Sequence, residues 1–318
     1  MPHILIAGKL HPAGLALMDQ SPGITYDHVE AISEDSYQPY LAGADGMVIR
    51  TQPLGAASVA KATRLTVVSR HGVGYDAVDV AALTARGIPL CVVGDVNSVS
   101  VAEHAMMQIL ACAKQLIRAD RAVRHGPWGW RNRLDQSEVA GKTLLIIGYG
   151  RIGRHLARMA AGFGMKIAGY DPYLLTHGWP DGPAVPVSDL TKGLALADFV
   201  SVHIPKADRP LIAAPELALM KPGAIIVNTA RGGIVDEAAL ADALRTGHIA
   251  AAALDVFETE PPLADHPLLS FDQVILTPHT AGITREAAER MAIVSVQNVL
   301  DHFAGRLDPA LIVNKDAL

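Results

Sequence analysis

The chain has 318 residues, half of them hydrophobic and 19% charged, with a formal net charge of −5 at pH 7. That length suits two ordinary domains with sizeable cores, and so apolar a chain is not a disordered one. The acidic balance argues against a general nucleic-acid binder, which carries a basic surplus, but leaves room for a local basic pocket for an anionic metabolite.

The opening residues, MPHILIAGKLHPAG, contain neither a basic leader nor a signal-like apolar region. A first series of β-rich runs follows: HILIAG (3–8), GMVIR (46–50), LTVVS (65–69) and IPLCVV (88–93), separated by helical stretches such as AASVAKA and AVDVAALTARG. A long helical segment is then read over 98–125. Within it Glu103, His104 and Lys114 interrupt the run Val99 to Ile117, so no membrane span is expected. HGPWGWRNRL (125–134) reads as an exposed aromatic arm, either packed on the surface or, since two Trp would otherwise expose much apolar area, used as an oligomer contact.

A second series comprises TLLIIG (143–148), KIAGYD (166–171), FVSVHIP (199–205), AIIVNTA (224–230), AAAALDVF (250–257) and QVILTPH (273–279). A strongly helical stretch, 285–305, closes the chain. Continuous apolar strands alternating with helices mean parallel sheets covered on both faces. Two such series predict an α/β protein with two doubly wound domains. The only cysteines, Cys91 and Cys112, lie in apolar stretches with no CxxC and no His at metal spacing. Buried inert thiols, no metal site and a cytoplasmic protein without disulfides are expected.

The most informative segment is LLIIGYGRIGRHLARMAAGFG (144–164). It places GxGxxG, here Gly148-Tyr149-Gly150-Arg151-Ile152-Gly153, between an apolar strand and a helix. Gly148 permits the tight turn, Gly150 lets the backbone approach a pyrophosphate, and Gly153 lets helix and strand pack closely. The helix N-terminus offers free N–H groups and the positive end of its dipole to phosphates. The next strand ends at Asp171, at about the twenty-residue spacing of the fingerprint. A carboxylate there can accept hydrogen bonds from both ribose hydroxyls and would repel a 2′-phosphate, so NAD(H) is expected over NADP(H).

At this point the chain resembles the D-2-hydroxyacid dehydrogenase family, especially its D-3-phosphoglycerate dehydrogenase-like branch. The blocks that carry the resemblance are GVGYDAVDV (72–80), VNSVSVAEHAM (96–106), IIGYGRIGR (146–154), VHIP (202–205), VNTARGGIVDEAAL (227–240), ALDVFETEP (253–261) and LTPHTAG (276–282), in family order over nearly the whole chain. The resemblance implies a discontinuous layout. A flavodoxin-like substrate-binding domain would take residues 1–97 and 286–318, and a Rossmann NAD-binding domain 98–285, with the active site in the cleft between them. It also implies a homodimer joined through the 98–134 helix and arm. Larger members carry a C-terminal regulatory domain; this sequence stops at Leu318, so serine feedback through such a domain is not expected.

Reducing a 2-keto acid needs a cation for the carboxylate and ketone, a proton for the new alkoxide, and a partner for the proton donor. Arg231, in NTARGG, follows an apolar strand, and its guanidinium matches a carboxylate bidentately. His279 supplies an imidazole, a group that can give a proton in one direction and take it in the other. Glu260, in FETEPP, can orient the imidazole and favour its protonated form. The resemblance places the substrate arginine and the Glu–His pair at these positions, with Glu258 facing solvent. It puts Asp255 near the nicotinamide carboxamide, with Val101, His203, Pro205, Thr229, Ala281 and Gly282 on the cofactor side. For His203 and Pro205, strand-end packing is an equal reading. Substrate contacts are expected from Arg50, the Gly72-Val73-Gly74 turn, Asn97 and His71, with Ser98 and Val101 near the hinge.

The chain departs from the family at His71, where many relatives have a small residue, at Ala77, and at Lys206 and Arg209 after VHIP. Extra basic residues there would serve a phosphate, a sulfonate or a second carboxylate, or stand as surface substitutions, and for Arg209 the latter is favoured. The expected substrate is 3-phosphoglycerate/3-phosphohydroxypyruvate, with hydroxypyruvate or glyoxylate next. A formate dehydrogenase would have Gln where Glu260 stands. The reading of another class is an NAD(H)-sensing co-repressor-like protein without turnover.

Overall fold

The structure, a computed structural model, describes residues 1–317. In chain order the elements are β1 (His3–Ala7), α1 (Pro12–Asp19), β2 (Thr25–Val29), α2 (Glu34–Tyr37), β3 (Gly46–Ile49), α3 (Ala56–Lys61), β4 (Val67–Arg70), α4 (Val80–Ala85) and β5 (Leu90–Cys91). There follow α5 (Ser98–Ala113), α6 (Leu116–His125), β6 (Thr143–Ile147), α7 (Arg151–Gly162), β7 (Lys166–Tyr170), α8 (Pro172–His177), β8 (Ala184–Pro186), α9 (Leu190–Leu196), β9 (Phe199–Val202), α10 (Ala214–Leu219), β10 (Ala224–Asn228), α11 (Glu237–Arg245), β11 (Ile249–Leu254), β12 (Val274–Leu276) and α12 (Arg285–Phe303). The chain divides into two compact units, one of residues Met1–Asn97 with Ile283–Leu318, the other of Ser98–Gly282. The return to the first unit falls before α12, because Thr284 caps that helix by accepting the Ala287 N–H.

The first unit holds a parallel sheet in the order β2-β1-β3-β4-β5, the flavodoxin-like arrangement. Alternate residues of each strand feed opposite faces. Leu5, Met47, Ile49 and Val68 pack with Tyr37, Leu41 and Leu83 on one face. Ile4, Ile6, Val48 and Val67 pack with Met18 of α1 and Ala292, Val296 and Val299 of α12 on the other. Buried Asn314 ties the chain end to this sheet: its side chain accepts the Leu90 N–H (2.9 Å) and donates to the Ile88 carbonyl (3.0 Å).

The second unit holds a parallel sheet in the order β12-β11-β10-β9-β6-β7-β8, with the sequence reversal at β6–β9, the Rossmann order with one further strand. Leu144 and Ile146 face α5 and α7, whose Ala102, Ala105, Leu156, Ala157 and Ala160 keep both helices close to the sheet. Leu145 and Ile147 face Leu194, Leu217, Leu240 and Leu244 of α9 to α11. No helix among the described residues is long and apolar enough to cross a membrane.

The structure corrects the sequence reading in three places. The single helix over 98–125 is two helices, broken where Gln115 takes a left-handed conformation (φ 48°). The apolar stripe of α5 ends there, and α6 buries no residue. Strands β2 and β8 were missed because both lie at sheet edges, β2 lacks a continuous apolar run, and β8 is only three residues long and ends in Pro186. Several strands are also shorter than read: β12 ends at Leu276, ahead of Pro278, which has no N–H for a ladder.

Asn314→Ala removes the partners of two buried backbone groups. It should lower the stability of the first unit by about 2 kcal/mol, read as a shift of the urea midpoint. A shift equivalent to less than about 0.5 kcal/mol would show that water replaces those bonds.

Candidate functional site

The register of the second sheet fixes which residues meet. Tyr170 pairs with Ile147, Ile147 with Val202, Val202 with Asn228, Asn228 with Leu254, and Leu254 with Leu276. One residue further on, the chain leaves the sheet at Asp171, Gly148, His203, Thr229, Asp255 and Thr277. Motifs far apart in sequence therefore arrive along one carboxyl edge, where open α/β sheets bind ligands.

At the reversal point the glycine loop meets its steric requirements. A Cβ on Gly148, which has φ 92°, would sit 2.4 Å from the His203 carbonyl oxygen, and one on Gly153 would sit 2.4 Å from the Gly148 carbonyl oxygen. Gly150 is different: a Cβ there would meet nothing within 4 Å, and it begins α7 without any side-chain cap. An open, uncapped helix start suits a phosphate. Arg151 is exposed and Ile152 half-buried beside it. Asp171 accepts the Tyr149 N–H (3.0 Å) on Oδ2 and the Tyr173 and Leu174 N–H groups (3.1 and 3.2 Å) on Oδ1. It thus caps α8 and staples the glycine loop. Tyr149 in turn stacks on Trp179, centroids 4.8 Å apart.

Two polar atoms on this edge are buried without partners, Thr229 Oγ1 and His203 Nδ1. The other nitrogen of His203 bonds Ser201 Oγ at 2.8 Å, and burial holds its imidazole down at about 3. Orphaned buried polar atoms cost free energy, so their place beside an open glycine cradle fits a bound dinucleotide. Val101 and Ala281 are buried, Gly282 is half-buried, and Pro205 is exposed. Lys206 and Arg209 are exposed in a stretch outside any helix or strand.

On the β10–β12 side, His279 Nδ1 lies 2.8 Å from Glu260 Oε2, with the side chains 52% and 37% exposed. Glu260 Oε1 accepts the Phe257 N–H at 3.0 Å. Glu258 is exposed, and its N–H donates to buried Glu237, whose other oxygen pairs with His266 at 2.8 Å. His279 has φ 52°, unusual for a residue with a Cβ. Its N–H donates to the carbonyls of Asp255 (2.8 Å) and Thr277 (3.0 Å). Arg231 leaves β10 in a turn closed by Asn228, whose side chain donates to the Arg231 carbonyl at 2.9 Å. The next residue, Gly232, lies so close to the 257–258 backbone that a Cβ would fall 1.8 Å from the Phe257 carbonyl oxygen. The Arg231 turn and the Glu260 loop are therefore in direct contact.

Asp255, expected beside the cofactor, is bonded to its own chain. It is fully buried, and its oxygens accept bonds from Thr277 Oγ1 (2.5 Å), Thr280 N (2.9 Å) and Ala281 N (2.8 Å). It holds the His279 loop. His104, Gln108, Thr277, Glu237 and His266, which support the two loops, were not recognised from sequence as functional. The available signal was a His and a Gln one turn apart on an apolar helix face.

In the first unit, Ile49 pairs with Arg70, so Arg50 and His71 leave the sheet together, and the His71 N–H donates to the Ile49 carbonyl (2.8 Å). Arg70 folds back over Gly72 and donates to the His71 carbonyl at 2.9 Å. His71 is 6% exposed, with neither ring nitrogen bonded. Burial first, then Arg50 and Arg70, hold its imidazole down at about 4. Val73 is exposed, while Gly74 and Asn97 are half-buried.

Residues 106–281 match the family described as D-isomer specific 2-hydroxyacid dehydrogenase, NAD binding domain. The chain is 40% identical over 318 residues to a D-3-phosphoglycerate dehydrogenase of Mycobacterium bovis, covering 97% of this chain and 58% of that one. It thus spans little more than half the length of that relative. It is 38% identical over 281 residues to a hydroxypyruvate reductase of Thermotoga maritima, covering 87% of this chain and 89% of that one. A crystal structure of a Thermus thermophilus protein superposes with TM-score 0.87 at 31% identity, covering 98% of this chain and 99% of that one.

His71 also makes a pH prediction. Its folded value, about 4, lies below the ordinary 6.5, so between these the unfolded chain binds a proton that the folded chain refuses. Stability should fall as pH drops through that window, by up to about 3 kcal/mol. Urea midpoints at pH 7 and pH 4.5 should converge in His71→Leu relative to the native chain. An unchanged pH slope would place the acid sensitivity elsewhere.

Proposed function

Because the chain belongs to the D-isomer specific 2-hydroxyacid dehydrogenase family, we propose that it interconverts a D-2-hydroxy acid and its 2-keto acid with NAD(H). The observation that carries this reading is the 2.8 Å contact between His279 and Glu260, beside the Arg231 turn on the carboxyl edge of the sheet. Glu260 occupies Nδ1 of the imidazole and so leaves Nε2 to carry the transferable proton. In reduction that proton passes to the ketone oxygen as the C2–H bond forms, and the imidazolium charge is met by Glu260. Arg231 holds the substrate carboxylate and polarises the ketone.

The dinucleotide supplies the hydride when bound. Gly148, Gly150 and Gly153 with the start of α7 would hold its pyrophosphate, aided by Arg151 and Ile152, and Thr229 Oγ1 and His203 would lie along it. Asp171 favours unphosphorylated ribose: Oδ2 has a lone pair left, and its charge repels a 2′-phosphate.

For the substrate we favour 3-phosphoglycerate/3-phosphohydroxypyruvate, supported by Arg50 and Arg70 beside His71 and by the mycobacterial relative's activity. Hydroxypyruvate is the second reading, favoured by the Thermotoga relative of nearly equal length. Exposed Leu116, Ile117, Val123 and Trp128 (70% exposed) support association of two copies through 98–134. Free, buried Cys91 and Cys112 are consistent with a cytoplasmic setting.

The test is NADH oxidation against a panel of 2-keto acids. Turnover should be highest with 3-phosphohydroxypyruvate, and His279→Ala should lower kcat roughly 10²–10⁴-fold with NADH binding, followed by fluorescence, retained. Bound NADH without turnover on any acid would instead favour the sensing, co-repressor-like function.

A further inference from the structure

Helix α5 presents an apolar, buried face formed by Val101, Ala105 and Cys112. Gln108, fully buried, and His104, 16% exposed, interrupt that face one turn apart. Polar groups placed there cost stability unless bonded. Both reach Thr277: Gln108 Nε2 lies 3.3 Å and His104 Nε2 3.1 Å from its Oγ1, and the two nitrogens are 3.1 Å apart.

The hydrogens can be assigned. Thr277 gives its hydroxyl proton to Asp255 at 2.5 Å. The two amide hydrogens of Gln108 then go to Thr277 Oγ1 and to His104 Nε2, which acts as acceptor, so the ring proton sits on Nδ1. This arrangement needs a neutral imidazole, since a proton on Nε2 would oppose the Gln108 N–H that the ring nitrogen accepts. Burial favours the neutral form, against the pull of Asp255, the one charged group acting on the ring among the described residues.

Asp255 passes this order on. Its carboxylate accepts the Thr280 and Ala281 N–H groups, and its carbonyl accepts the His279 N–H. His279 keeps its left-handed backbone only because the surroundings over-determine it.

We propose that His104 and Gln108 are positioning residues for the proton donor: His104 orients the Gln108 amide, Gln108 through Thr277 fixes the Asp255 carboxylate, and Asp255 holds the turn that sets His279 against Glu260. The kinetic part of this inference rests on the dehydrogenase reading; the structural part does not.

The experiment uses the full chain with three substitutions. His104→Leu removes the acceptor, His104→Gln keeps one near the Nε2 position, and Thr277→Val keeps the shape without the hydroxyl. His104→Leu and Thr277→Val should each lower kcat about tenfold, the equivalent of one or two hydrogen bonds, with the substrate KM within about twofold. His104→Gln should recover most of the loss. Amide exchange at Thr280 and Ala281 should accelerate by a similar factor in the two damaging variants, a readout independent of turnover. Unchanged exchange at these amides, with only a lower unfolding midpoint, would overturn the proposal. So would a His104→Gln variant no better than His104→Leu. If the native chain turns over no 2-keto acid but exchange responds as expected, the positioning network stands and the dehydrogenase reading fails.

Discussion

The buried carboxylate of Asp255 decides where the proton donor sits. It is fully enclosed, and an unpaired charge there would be untenable. Hydrogen bonds from Thr277, Thr280 and Ala281 satisfy it, and those bonds bend the chain after β12 into the turn that carries His279. The partner loop is anchored the same way, with buried Glu237 accepting the Glu258 N–H and pairing with His266. Two buried acids thus hold two loops, and the exposed pair His279–Glu260 is where those loops meet. The site is firm because its supports are dry, while its reacting groups remain open to solvent.

The strand register explains why so many motifs serve one edge. A parallel ladder with both faces packed admits a single alignment, because a one-residue slip would send every side chain to the opposite face, into packing shaped for another. Leu144 to Ile147, Phe199 to Val202 and Ile225 to Asn228 are all enclosed, so β6, β9 and β10 cannot slip. The residues after each strand are then delivered to one line by the ladder itself.

That logic marks what the sequence could disclose. Central strands and the glycine loop were legible because continuous apolar runs and steric glycines are local signals. Edge strands β2 and β8 were not, since one flank of each lies open, β2 is mostly polar and β8 is three residues ending in Pro186. Glu260 and His279 were legible as residue types in a motif. The bonds that Asp255 accepts from its own loop were not, because they depend on backbone geometry that no residue type announces. The break at Gln115 escaped for a similar reason: Lys114-Gln115-Leu116 has no Gly or Pro, and only the end of burial on α5 stops the helix.

The two glycines Gly150 and Gly232 show how one residue type can serve opposite ends. Gly232 is required because the 257–258 backbone already fills the volume of a Cβ. Its role is complete within the folded chain, which locks the Arg231 turn onto the Glu260 loop. Gly150 has nothing near the position a Cβ would take, so its own fold does not demand glycine there. A glycine that the fold does not need, at an uncapped helix start on the same carboxyl edge as the unpartnered Thr229 hydroxyl and His203 nitrogen, is accounted for by something outside the chain. A crowded glycine reports on folding, and an uncrowded one beside unsatisfied polar atoms reports on a ligand with phosphate to place.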